Sequence, residues 1–165
     1  MNNVEWTPEW LAETIKLLRT HGSDTQFIEV KKAHGGYPGS LDATLSSFSN
    51  SSTGGIIICG LDENNDFAPV GVYDPADLEK TLGNKLRRGL KPPNTMESGT
   101  ILCEGAKIFV AAIPPLPPYE RPAYIGGKAY VRSGDGDHEM SRHETDLMVA
   151  QRTRTGFDEE PVEYT

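Results

Sequence analysis

The sequence predicts an α/β fold of the mixed α+β kind, a mixed sheet with helices packed on it. Three observations lead there. Apolar residues recur at helical spacing in Trp10, Leu11, Ile15 and Leu18, in Leu41, Leu45 and Phe48, and in Leu78, Leu82 and Leu86. The run IIICGL is short, β-branched and continuous, which suits a central strand buried on both faces. Thr100–Cys103 and Lys107–Ile113 flank Glu104-Gly105-Ala106 as the arms of a hairpin. Helices and strands interleave without the strict alternation of a doubly wound sheet.

Taken in order, Thr7 and Pro8 start the first helix, a capping oxygen followed by proline at the first helical position, and Gly22 supplies the stop. A strand is expected from about Thr25 to Lys32, with Ile28 and Val30 on one face and Phe27, Glu29 and Lys31 on the other. Gly35–Gly39 reads as a loop. Ser40 is positioned to cap the second helix, which ends in SNSSTGG, where Ser and Asn compete with the backbone and Gly permits positive φ. After IIICGL the acidic DENND turns the chain, and Val70-Gly71-Val72 begins a return strand. Asp74-Pro75 repeats the cap-then-proline signature, and Gly89 with Pro92-Pro93 ends that helix. PPLPPYERP reads as an extended connector. Ala129–Arg132 is a strand, Ser133–Asp137 a loop, and Ser141 with Glu144 a capping box before a last helix carrying Leu147 and Met148. GFDEEPVEYT lacks apolar periodicity and reads as a frayed tail or the start of a linker. Residues 1–155 thus form one domain, with its core over 24–152, and 156–165 an acidic tail.

No run approaches the roughly 20 apolar residues of a membrane helix, and the N-terminus lacks the pattern of a secretory signal. Cys59 and Cys103 lie in apolar strands without CxxC spacing, which suits buried free thiols of a reducing cytoplasm ahead of a disulfide or a metal site. The net charge of −8 argues against attraction of nucleic acid over the whole surface. That charge is uneven, with Asp158, Glu159, Glu160 and Glu163 in the tail. Residues 80–91 carry Lys80, Lys85, Arg87, Arg88 and Lys91 and no acid. Screening confines such a patch's field to about 8–10 Å, so it can meet phosphates on an acidic protein; it also suits a solvated helix end.

Asp24 and Glu29 bracket the first strand, and Asp62, Glu63 and Asp66 sit at the exit of the central one, where ligand sites of α/β sheets gather. Neighbouring strands would bring these carboxylates together as hard oxygen ligands for a divalent cation. A hydrophilic turn and a Glu29–Lys31 ion pair explain the same residues. Lys31, Lys32 and Arg132 suit a phosphate-bearing ligand, or else structural ion pairs. There is no GxxxxGK phosphate loop for ATP, no dinucleotide fingerprint, no GxSxG elbow, and no zinc spacing among His21, His34, His138 and His143.

The segments DTQFIEVK (24–31), TLSSFSNSSTGGIIICGLDENNDFAPVGV (44–72), AYVRSGD (129–135) and SRHETDLMVAQR (141–152) together resemble the Schlafen AlbA-like DNA-binding domain, also met under a divergent-AAA label in bacterial transcriptional regulators. The resemblance implies a nucleic-acid-binding module, with DNA ahead of RNA as partner, in which Lys31, Lys32, Lys85, Arg87, Arg88, Lys91 and Arg132 meet phosphates. It also implies a winged-helix region following this domain. In eukaryotic Schlafen relatives an acidic trio is associated with metal-dependent RNA cleavage; its counterparts here are Asp24, Glu29 and Glu63, or the neighbouring Asp62, holding Mg²⁺ or Mn²⁺. Asp24 stands where glutamate is usual, one methylene shorter, and the Schlafen nuclease is a longer, duplicated assembly. A third reading is a ligand-sensing or dimerisation module without catalysis, which predicts a homodimer that binds no nucleic acid.

Overall fold

Thr7 and Pro8 start the first helix as the sequence predicts. The Thr7 hydroxyl oxygen accepts from the Trp10 amide at 3.1 Å, and Gly22 closes the helix at φ 86°, its N–H on the Leu18 carbonyl. The computed structural model describes residues 5–22, 25–134 and 136–158, with side chains to Arg152. In chain order the elements are α1 (Pro8–His21), β1 (Ile28–Lys31), α2 (Leu41–Asn50), β2 (Gly55–Cys59), β3 (Leu61–Asp62) and β4 (Ala68–Pro69). There follow α3 (Pro75–Asn84), β5 (Leu90–Lys91), β6 (Glu97–Cys103), β7 (Ala106–Ile113), β8 (Tyr124–Ile125), β9 (Lys128–Ser133), β10 (Gly136–Glu139) and α4 (Arg142–Asp158).

The main sheet has the order β1-β2-β7-β6, with β1 and β2 parallel and the other pairs antiparallel. It is the mixed sheet the sequence predicts, and β2 lies inside it. Two apolar clusters form on its two faces. On one, Leu11, Ile15 and Leu18 of α1 meet Val30, Ile58 and Val110. On the other, Leu41, Leu45 and Phe48 of α2 and Leu78 and Leu82 of α3 meet Ile57, Cys59 and Phe109. Ile57 and Ile58 are both fully buried, so successive residues of β2 serve opposite cores, as its unbroken apolar run requires.

A second, antiparallel sheet of order β10-β9-β8-β5 lies beyond α2. The sequence shows only β9 of this sheet. Gly136 and Asp137, expected in a loop, are the start of β10 and pair with Ser133 and Arg132. β5 and β8 have two residues each, too few for an alternation to register. The connector read as extended contains a 3-10 turn at Pro118–Glu120, and the helix begun at Asp74-Pro75 ends in a π-helical turn at Lys85–Gly89; elsewhere the differences are of extent. β1 pairs over four residues, β6 begins at Glu97, and the return limb pairs at Ala68–Pro69. The amides of Val70 and Gly71 both donate to the Gly60 carbonyl instead of extending a strand. The capping box of α4 is reciprocal, Ser141 Oγ accepting from the Glu144 amide at 3.1 Å and Glu144 Oε1 from the Ser141 amide at 2.9 Å. The backbone stays helical to Asp158, past the point where the sequence suggests fraying; residues 159–165 of the acidic tail lie outside the described residues. Among the described residues no helix is long and apolar enough to cross a membrane.

The Gly54-Gly55 pair is explained by close approach. A Cβ on Gly55 would lie 2.5 Å from the Phe48 ring. One on Gly54, at φ 71°, would lie 2.2 Å from the Ile113 carbonyl oxygen. Gly54→Ala combines a left-handed backbone with a clash against backbone that cannot turn aside. We expect it to cost about 2 kcal/mol or more in urea unfolding, whereas Gly105→Ala, equally left-handed but with open space around it, costs less.

Candidate functional site

Alternation along β1 turns Val30 toward α1 and Glu29 with Lys31 toward α2. The parallel register sets Glu29 beside Ile57 and Lys31 beside Cys59. α2 presents Thr44 and Ser47 to this face, and β9 and β10 bring Arg132 and Asp137 from the second sheet. The result is a buried charged network. Arg132 Nη2 donates to the Thr25 carbonyl at 2.8 Å and the Ile28 carbonyl at 3.1 Å, and lies 3.4 Å from Glu29 Oε2. Arg132 Nη1 donates to Asp137 Oδ1 at 3.0 Å. The Phe48 ring stacks under the guanidinium, 5.1 Å from its centroid. Arg132 Nε is buried without a hydrogen-bond partner among the described residues.

Both oxygens of Asp137 are engaged, since it accepts also from Thr44 Oγ1 at 2.7 Å and from the Ser47 hydroxyl. A hydroxyl has one proton, so the 3.4 Å separation of Thr44 Oγ1 from Glu29 Oε1 is the weaker contact. Lys31 Nζ stands 3.6 Å from Glu29 Oε1. Two cations and two carboxylates therefore balance, which is what allows charge to stay in a low-dielectric interior.

The structure sorts the residues singled out in the sequence into separate places. Arg132, expected on phosphate, has a side chain 1% exposed and is spent on interior partners. Glu29 is buried between Arg132 and Lys31. Asp62 accepts from the Asn64 amide at 3.1 Å and pairs with Lys32 at 3.8 Å, while Glu63 is exposed on the short 3-10 turn Glu63–Asn65. Asp24 lies outside the described residues. Glu29 and Asp62 thus each face lysine, and among the described residues no group of three or more His, Cys, Asp or Glu is disposed to hold a metal ion. The described carboxylates do not by themselves make up the ligand set that the resemblance implies.

The basic segment after α3 is arranged differently. Lys85 is engaged, 3.2 Å from Asp42 and over the Tyr37 ring at 5.6 Å. Burial, then the hydrogen bond to Asp42, push the Tyr37 phenol above its usual range. Residues Lys85–Gly89 form a π-helical turn, and Arg87, Arg88 and Lys91 project from it and from β5 as exposed cations. Among the described residues these three form no ion pair. Sequence reasoning does not find Asp137, Thr44 and Ser47 as partners of the interior charges. The available signal is the pair of polar stretches either side of Gly134, readable as a hairpin.

The family model described as Schlafen, AlbA_2 matches residues 24–141, and the chain belongs to this family. No curated protein matches the chain. Among solved structures, the fold is similar to the N-terminal domain of a putative ATP-dependent DNA helicase RecG-related protein from Nitrosomonas europaea. The TM-score is 0.60 at 23% identity, covering 79% of this chain and 94% of that one. It is also similar to the DIP2311 protein from Corynebacterium diphtheriae, with TM-score 0.53 and 15% identity over 85% of this chain and 28% of that one. At these identities the likeness is one of fold.

Two outcomes follow from the geometry. Arg132→Ala leaves Asp137 buried without its cation and Glu29 with Lys31 alone, and should destabilise by about 3–5 kcal/mol in urea unfolding. Arg132→Lys should recover little, because one ammonium cannot meet acceptors set for a planar fork. The Cys59 thiol is pushed up to about 12 by burial first, with Glu29 adding to the shift and Lys31 opposing it. Folding therefore disfavours the thiolate, so this thiol's contribution to stability is full below the unfolded-state value of about 8.5 and declines toward pH 12. Native alkylation at pH 8 should leave Cys59 unlabelled, and unfolding should expose it.

Proposed function

We propose that the domain binds nucleic acid, DNA ahead of RNA, as the N-terminal module of a prokaryotic transcriptional regulator. The observation that carries the reading is the π-helical turn at Lys85–Gly89, which with the adjoining β5 leaves Arg87, Arg88 and Lys91 exposed and outside any described ion pair. An inserted residue in a helix is costly and recurs at functional sites. Here it ends α3 in a short cationic ridge on an otherwise acidic protein. Unpaired guanidinium groups suit phosphate oxygens, which they meet with two parallel hydrogen bonds. Lys32 and the partly exposed Lys31 extend the candidate surface but are discounted by their carboxylate partners.

Membership of the Schlafen AlbA_2 family supports the reading. The DNA-helicase description belongs to the Nitrosomonas protein and agrees with it. In this account the ridge meets backbone phosphates, which set affinity and register without reading sequence.

Fluorescence anisotropy with labelled duplex DNA, single-stranded DNA and RNA tests it. Affinity should fall steeply with salt, and Arg87→Ala with Arg88→Ala should lower the log–log slope by about 1 for each phosphate the variant no longer neutralises. Salt-insensitive binding, or none at low salt, would sink the proposal. Cleavage of RNA in Mn²⁺ that disappears in Glu29→Gln would replace it with the nuclease reading.

A further inference from the structure

The helical repeat sets Ala76, Lys80, Gly83 and Arg87 on one side of α3 and its π-helical extension, facing the segment 94–98 that leads into β6. Between them lies an open cavity of about 680 Å³. We propose that this cavity binds a nucleoside phosphate, either a free nucleotide or the terminal nucleotide of a strand. The site goes beyond the phosphate-backbone contacts of the ridge and shares only Arg87 with them.

Its size is that of a small-molecule site, about 300–1,000 Å³, and larger than a bare phosphate needs. Lys80 and Arg87 are both exposed cations that line it and can meet the phosphate. Half-buried Met96 supplies an apolar surface on which a base face can rest, the thioether favouring aromatic contact. The Asn84 carboxamide at the wall offers both a donor and an acceptor to a base edge. Asn94 fixes the opposite wall, its Nδ2 donating to Ser49 Oγ at 2.9 Å and to the Pro114 carbonyl at 2.8 Å. Glu79 on the lining opposes a simple polyanion and can accept from ribose hydroxyls.

Gly83 gives an independent reason to regard the space as kept open. Glycine weakens a helix, and nothing local requires it here. Its φ is not positive, and the nearest atom to a Cβ would be Met96 Cε at an ordinary 3.9 Å. What a longer side chain at 83 would occupy is the cavity.

The experiment is isothermal titration of the 165-residue chain with the four common nucleoside monophosphates, the matching nucleosides, inorganic phosphate and a short 5′-phosphorylated oligonucleotide. At least one monophosphate should bind about tenfold or more tighter than its nucleoside and than phosphate, since both halves of the ligand are held. Gly83→Gln should weaken that binding at least about tenfold while its melting temperature stays equal or rises, because glutamine favours the helix. Lys80→Ala with Arg87→Ala should weaken it similarly, and decides the matter should Gly83→Gln fold poorly. Tighter binding of the oligonucleotide than of the monophosphate assigns the strand end as source, and the reverse assigns a free nucleotide. No saturable nucleotide binding, or binding unaffected by filling position 83, overturns the proposal. Salt-dependent nucleic-acid binding with no nucleotide binding removes the pocket alone, and nucleotide binding without it removes the ridge alone.

Discussion

A helix buried on every side must find a partner for each polar group it carries, and α2 is under that constraint. From Thr44 to Asn50 every residue is buried, four of them hydroxyl-bearing and one an amide. Ser46 Oγ donates to the Ala123 carbonyl at 2.8 Å and accepts from the Tyr130 amide at 2.9 Å. Asn50 donates to the Tyr130 carbonyl at 3.0 Å and accepts from the Ala123 amide at 2.7 Å. These bonds reach backbone flanking β8 and within β9, so α2 is stitched to the second sheet by polar groups and to the main sheet by Leu41, Leu45 and Phe48. Bonds of this kind gain little when made but leave a costly orphan when broken. That asymmetry holds the two sheets in one register about the helix.

The charged network extends the same constraint. Arg132 reaches from β9 across α2 to the carbonyls of Thr25 and Ile28, so a side chain of the second sheet binds the entry to β1. Its burial would be prohibitive without Glu29 and Asp137, and theirs without it. The interior cation therefore belongs to the architecture. Cations available to a ligand are those that the fold leaves outside, where a π-helical turn lets the chain leave α3 with Arg87 and Arg88 exposed. The −8 charge of the whole chain and a local cationic ridge are compatible because screening keeps their fields apart.

Particular residues show how far the sequence can be read. Thr7-Pro8, Asp74-Pro75 and Ser141 with Glu144 announce helix starts because capping is a bond between residues three apart, and all three form. Ser40, which has the same chemistry, makes no side-chain cap bond, since it already has helical dihedrals. Glu29 stands out as a carboxylate in a strand, yet its partner Arg132 is 103 residues away. No spacing rule spans that distance. Asp137 reads as loop in the sequence because a four-residue strand of Gly, Asp, His and Glu has no apolar alternation.

By itself, then, the sequence determined the periodic helices, the doubly buried β2 and the family pattern from Asp24 onward, because these rest on interactions local in the chain or on a strictly repeated pattern. Tertiary structure alone decided the second sheet, the partners of each charge, and which cations stay free. Those outcomes depend on burial, and burial is set by segments that meet only after the chain has folded.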